Sequence, residues 1–240
     1  MRKSSLLLSG LLLAALCPAA EDLGGKFTIY MGSKAVASET YSLRQSDGKV
    51  ELSGTGVADL GVMKVNIEKF VVVTDDKFQP LSVEAKAQMG QIKMEDSVTF
   101  ADGKAKNEMN TGQGIQLKED DVHADALMVN ANLPLFAWSI LALRAKLDVS
   151  DPQIFNAYIL GQSEVPVTVT VKGREQVEFS DKKAELTHVL VKFAPGAAAP
   201  PLNVDVWMNE ARKIVKIAVP AMNVEAYQEG FDRKVPKTAP

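Results

Sequence analysis

From residue 26 onward the chain alternates. Phe27, Ile29 and Met31 are separated by Thr28 and Tyr30, and Val165, Val167, Val169 and Val171 by Pro166, Thr168 and Thr170. Val215, Ile217 and Val219 repeat the pattern near the end. A period of two puts every second side chain on one face of a sheet. Turn chemistry separates the runs: Asp47-Gly48 and Asp102-Gly103 are two-residue hairpin signals, and Asp75-Asp76, Ser180-Asp181 and Asn209-Glu210 are looser ones. The pattern predicts ten or eleven strands, near 26–31, 36–45, 49–57, 61–73, 79–88, 91–100, 105–109, 163–179, 184–194, 202–209 and 213–219. Hairpins between nearest neighbours make an antiparallel meander.

One stretch has no alternation. Leu133 to Leu147 (LPLFAWSILALRAKL) contains good helix formers, no turn residue, and apolar side chains almost all round. Asn132 is placed to cap a helix there, with Pro134 in its first turn, where a missing N–H costs nothing. Pro152 after Asp151 suggests a second short helix over 151–158. A helix apolar on several sides has to be covered. The expected fold is therefore mainly β: a curved antiparallel sheet or unclosed β-barrel of about ten strands, with one or two helices packed on the concave face.

The first residues read as an export signal. Met1-Arg2-Lys3 is a short positive segment, Leu6 to Leu16 is apolar, and Pro18-Ala19-Ala20 offers small residues for cleavage. The expected organisation is a signal peptide over 1–20, a single β-rich domain over 21–228 and a flexible C-terminal tail over 229–240. The destination is the periplasm or the outside of the cell. Cys17 sits where a lipoprotein carries its lipidated cysteine, but Leu16 just before it is larger than that signal prefers.

Composition then removes whole classes. The 240 residues are 46% hydrophobic and 24% charged, with a net charge of −3. Arg2 and Lys3 are the only charges among the first 20; without them 25 basic face 30 acidic side chains, a net −5. That argues against a nucleic-acid partner. Cys17 is the one cysteine, so the domain has neither a disulfide framework nor a cysteine metal cluster. There is no G-x-S-x-G, and Gly54-Thr55-Gly56 and Gly112-Gln113-Gly114 lack the spacing of phosphate-binding loops; they read as bulges or turns. His188 lies inside a strand-like run and reads as a hydrogen-bonded strand residue. No cofactor is called for, and the expectation is a protein that is not an enzyme.

Two constellations remain. Asp121, His123 and Asp125 would point the same way in an extended chain and are weak metal candidates, with a metal-assisted hydrolase as the corresponding remote alternative. Phe136, Trp138 and Leu141 on the apolar helix, with Phe155 and Tyr158 after it, are the candidate ligand-binding residues if the helix fills the sheet incompletely. Met63, Met89, Met94 and Met109 are scattered over strands, which suits adaptable packing or a plastic pocket.

The opening strand Phe27-Thr28-Ile29-Tyr30-Met31-Gly32 and the closing Val206-Trp207-Met208-Asn209 with Lys213-Ile214-Val215-Lys216-Ile217 resemble exported bacterial β-rich families of uncharacterised function. More remotely, the layout is similar to the lipoprotein-localization carriers, whose half-barrel holds acyl chains under a helical lid. The resemblance implies an envelope protein that binds a lipid or acyl chain, with a lipid or lipoprotein as partner. The alternative is a structural or assembly factor of the envelope with no small-molecule ligand. The mature chain has no expected transmembrane span, and nothing sets its oligomeric state.

Overall fold

The structure, a computed structural model, describes residues 23–129, 134–160, 163–193 and 201–234. The expected signal peptide and Cys17 therefore lie outside the described residues, as does Asn132. Eight strands come first: β1 (Gly25–Met31), β2 (Lys34–Ser46), β3 (Lys49–Asp59), β4 (Lys64–Asp75), β5 (Pro80–Met89), β6 (Ile92–Ala101), β7 (Lys104–Asn110) and β8 (Ile115–Asp121). A short β9 (Leu127–Val129) leads to a 3-10 turn (Leu135–Ala137) and the helix α1 (Trp138–Arg144). Then come β10 (Gln153–Ile159), β11 (Glu164–Glu178), β12 (Lys183–Phe193), β13 (Leu202–Met208), β14 (Ile214–Val219) and β15 (Val224–Gln228).

The eleven expected strands are present, and four more join them. β8 is exposed along almost its whole length and apolar only at Ile115 and Leu117, so its hydrophobic alternation is too short to mark a strand. β9 and β15 are very short. Residues 151–158 were expected as helix and are instead mostly β10: Ile154, Phe155 and Tyr158 suit a pleated surface, and β11 offers an open edge with which Gln153 to Tyr158 pair. Among the described residues there is thus one short α-helix. It is shorter than 133–147 because Ala145 turns extended (ψ 134) and the Gln153 amide bonds both the N–H and the C=O of Lys146 at 2.9 and 2.8 Å. No helix among the described residues is long and apolar enough to cross a membrane.

All fifteen strands form one sheet in the order β8-β7-β6-β5-β4-β3-β2-β1-β15-β14-β13-β12-β11-β10-β9. Every pairing is antiparallel except β9 with β10. The two edge strands, β8 and β9, are separated in sequence by five residues, which reach about 20 Å at most. Laid flat, fifteen strands would hold those edges about 67 Å apart. The sheet is therefore rolled, without a backbone ladder between its ends.

Its ends overlap through side chains. Ala157, Tyr158 and Ile159 are consecutive and all at most 1% exposed, as are Ala126, Leu127 and Met128, so both faces of β9 and of the last three residues of β10 are covered. One face looks into the interior. On the other, Tyr158 meets the Phe100 ring of β6 edge-on at 5.3 Å and donates a hydrogen bond to Asp120 of β8 at 3.2 Å. His123 of the connecting segment bonds Glu164 at the start of β11 through both its backbone N–H (2.7 Å) and its ring.

Outside the roll, Phe179, Leu186, Val215 and Tyr227 make a second small core. The expected tail is described as far as Lys234, and its first part is held there: Phe231 packs edge-on against Phe179 at 5.1 Å, and Arg233 ion-pairs with Glu225 at 3.1 Å.

Candidate functional site: a half-filled interior

In a meander, alternate turns lie at the same edge of the sheet. The turns after β1, β3, β5, β7 and β14 define an upper edge, and those after β2, β4, β6, β11 and β13 a lower one. The interior differs between them.

The lower half is solid. Phe136 stacks on Tyr41 (5.5 Å, 9°), Tyr41 on Phe27 (5.4 Å, 7°), and Phe70 meets Phe136 edge-on (5.7 Å, 78°). Gly54 makes room for this ring: a Cβ there would lie 2.6 Å from Phe136 Cζ and 2.5 Å from the Thr40 carbonyl. The β3–β4 register shifts between Gly54 and Gly56, so these glycines sit at a bulge, as the sequence suggests. Two turns of the lower edge hold the C-terminal end of α1: Arg144 donates to the Lys77 carbonyl at 2.9 Å, and Arg212 donates to that of Ala145.

The N-terminal end of this helical segment is held by a carboxylate from the sheet. Pro134 precedes the 3-10 turn and contributes no side-chain cap. Glu39 of β2, 2% exposed, instead accepts the N–H groups of Leu135 (2.9 Å) and Phe136 (3.1 Å). Burial disfavours its charged form and raises its pKa to about 7, although the two backbone bonds pull the other way.

Above this plug the interior is open. A cavity of about 440 Å³ lies between β1, β2, β4, β5 and β6 on one side and β13 and the β14–β15 turn on the other, with Leu135 and Trp138 as its floor. All its lining residues are apolar, and five are methionines: Met31, Met63, Met89, Met94 and Met222. It opens at the upper edge, where Met31, Leu60, Met63 and Met222 are 37–49% exposed.

Of the five candidate ligand-binding residues, Trp138 lines the cavity. Phe136 is the stacked core beneath it, and Leu141 is fully buried further along α1. Phe155 is half-buried against the core, and Tyr158 is buried in the overlap. Among the scattered methionines, Met63, Met89 and Met94 line the cavity and Met109 does not. Sequence reasoning missed Glu39, although it shares a face with Tyr41 and Leu43, and a charge on an apolar face was a usable signal.

The acidic cluster disperses. Asp121 pairs with Lys104, and His123 with Glu164. Among the described residues no group of three His, Cys, Asp or Glu side chains is arranged to hold a metal ion. His188 bonds Asp205 at 2.8 Å and stacks on Trp207 (4.6 Å, 12°), contacts that anchor the imidazole within its strand pair.

These features define a class: a rolled antiparallel sheet, plugged at one end by a helix and hollow at the other. No family model matches the chain, and no curated protein does. Among solved structures it is similar to a DUF1089 family protein from Pseudomonas aeruginosa, with 13% identity over 85% of this chain and 95% of that one and a TM-score of 0.47. A likeness that distant carries no conclusion about function.

Proposed function

We propose that this protein is a non-enzymatic envelope protein that binds the apolar portion of a lipid or other acyl-bearing molecule in the upper cavity. The observation that carries this reading is the cavity itself. Its volume lies within the ~300–1,000 Å³ of ordinary ligand sites, and its wall is predominantly apolar. A wall without charged side chains, in which the Trp138 indole is the one side chain with a hydrogen-bonding group, suits a hydrocarbon chain whose polar head stays outside the mouth. The methionines give that wall adaptable, polarizable surface, which suits chains of differing length. The export signal read in the sequence of residues 1–20 supports a setting in the periplasm or beyond. A structural or assembly role would have been favoured by a solid interior throughout.

Native mass spectrometry and solvent extraction of the purified protein test the proposal, together with fluorescence of 1-anilinonaphthalene-8-sulfonate. Co-purified lipid, and probe binding that Ala87→Phe abolishes by filling the cavity, are expected. A protein free of lipid that leaves the probe unbound overturns it.

A further inference from the structure

The two edges of the rolled sheet carry opposite chemistry. The upper turns, 32–33, 60–63, 90–91, 111–114 and 220–223, contain no charged residue. Each lower turn, 47–48, 76–79, 102–103, 179–182 and 209–213, contains at least one Asp or Glu. Exposed apolar side chains follow the same division. Of the ten large ones among the described residues, seven stand at or beside the upper turns: Met31, Leu60, Val62, Met63, Ile92, Ile115 and Met222. Val62, at the tip of the β3–β4 turn, is 99% exposed.

An isolated exposed apolar residue needs no explanation, but a collar of them around the mouth of an apolar cavity does. The charges beside the collar are informative as well. Lys34, Lys64 and Lys93 are exposed next to these turns. The acids there are already engaged: Asp59 accepts the Gly61 N–H at 2.9 Å, and Glu225 pairs with Lys216 and Arg233 at 3.2 and 3.1 Å. Uncharged apolar tips flanked by lysines, with the charged turns, acidic and basic alike, gathered at the far end, complement a bilayer whose surface carries anionic headgroups.

We infer that the upper edge docks on a lipid bilayer, with the Leu60–Met63 tip and Met222 entering the headgroup region and the cavity mouth facing the acyl chains. The inference rests on the reading of the cavity as an acyl-chain site and adds the surface from which that site is loaded or emptied. A chain could then pass between bilayer and cavity without exposure to water.

Flotation with vesicles of phosphatidylethanolamine and phosphatidylglycerol tests it. The full mature protein is expected to float with the vesicles, less so as salt is raised. Val62→Asp is expected to lower the vesicle partition constant about tenfold or more, because one buried valine is worth at least that factor. Val62 does not line the cavity. The variant is therefore expected to keep the wild-type urea midpoint and probe binding, which excludes misfolding as the cause. Failure of the wild type to float, or equal flotation of Val62→Asp, overturns the docking surface. So does a solution dimer that Val62→Asp dissociates, which would assign the collar to a second copy of the chain. Flotation without bound lipid or probe would overturn the cavity reading and leave the docking surface standing.

Discussion

The two halves of the interior are built from the same strands by the same alternation, yet one is a packed core and the other a cavity. Below, the helical segment supplies rings that match the sheet: Phe136 fits between Tyr41 and Phe70, and Gly54 clears space for it. Above, the segment contributes the floor, and no element among the described residues descends from the upper edge to fill the remainder. Alternation decides which side chains point inward. Whether they meet a partner is decided by what the connections deliver between them. The lower half is consequently the place where substitutions should cost stability, and the upper half the place where they should change binding instead.

The largest expected effect is on the packed side. Phe136→Ala removes a fully buried ring and should cost about 3–5 kcal/mol in urea unfolding. Met94→Ala, in the half-buried cavity wall, should cost well under half of that. Equal costs would mean that the two halves are packed alike.

Next comes pH. Glu39 holds its proton up to about pH 7 in the folded chain, whereas the unfolded chain releases it near 4.5. Between those values the folded state binds more protons, so stability should fall as pH rises and level off above 7. The total loss is roughly 3 kcal/mol, from a shift worth about 1.4 kcal/mol per pH unit. Asp96, raised by burial to about 6, adds in the same direction. Glu39→Gln should therefore flatten most of the slope without erasing it; an unchanged slope in urea midpoints against pH would remove Glu39 from this role.

Gly54→Ala should cost about 1–3 kcal/mol, since the added methyl group meets a ring and a carbonyl held by the sheet. Gly61→Ala serves as its control for backbone strain: a Cβ at Gly61 meets nothing, and the φ of 84° alone sets the penalty. The smallest effect is at the lower end of α1. Arg212→Ala removes the bond to the Ala145 carbonyl and should cost about 1 kcal/mol, with faster amide exchange in the last turn of the helix.

Most of the sheet was legible because its strands bury one face and end in Asp-Gly or similar turns. β8 was not, since its side chains are almost all exposed and its pairing with β7 rests on the backbone and on exposed ion pairs such as Lys104 with Asp121. β10 was misread because Asp151-Pro152 imitates a helix start, while the edge that captures this segment belongs to a strand that follows it in sequence. The apolar helix was legible in kind and too long in extent, because Gln153, which pins Lys146, is a partner no local pattern reveals. For the site, the apolar helix and the aromatics in and after it drew attention to Phe136, Leu141, Phe155 and Tyr158, which the fold uses for packing. The cavity is lined by Trp138 together with aliphatic and methionine side chains from strands and turns far apart in sequence, brought together by the roll.

The overlap of β8 with β10 has a mechanical consequence. A barrel closed by a continuous ladder can widen only by breaking a row of backbone hydrogen bonds. Here the girth is fixed by a handful of contacts, chiefly Tyr158 with Asp120 and Phe100 and His123 with Glu164. Sliding one flap past the other would trade those few contacts while every strand kept its neighbours, so the circumference is the softest dimension of the molecule.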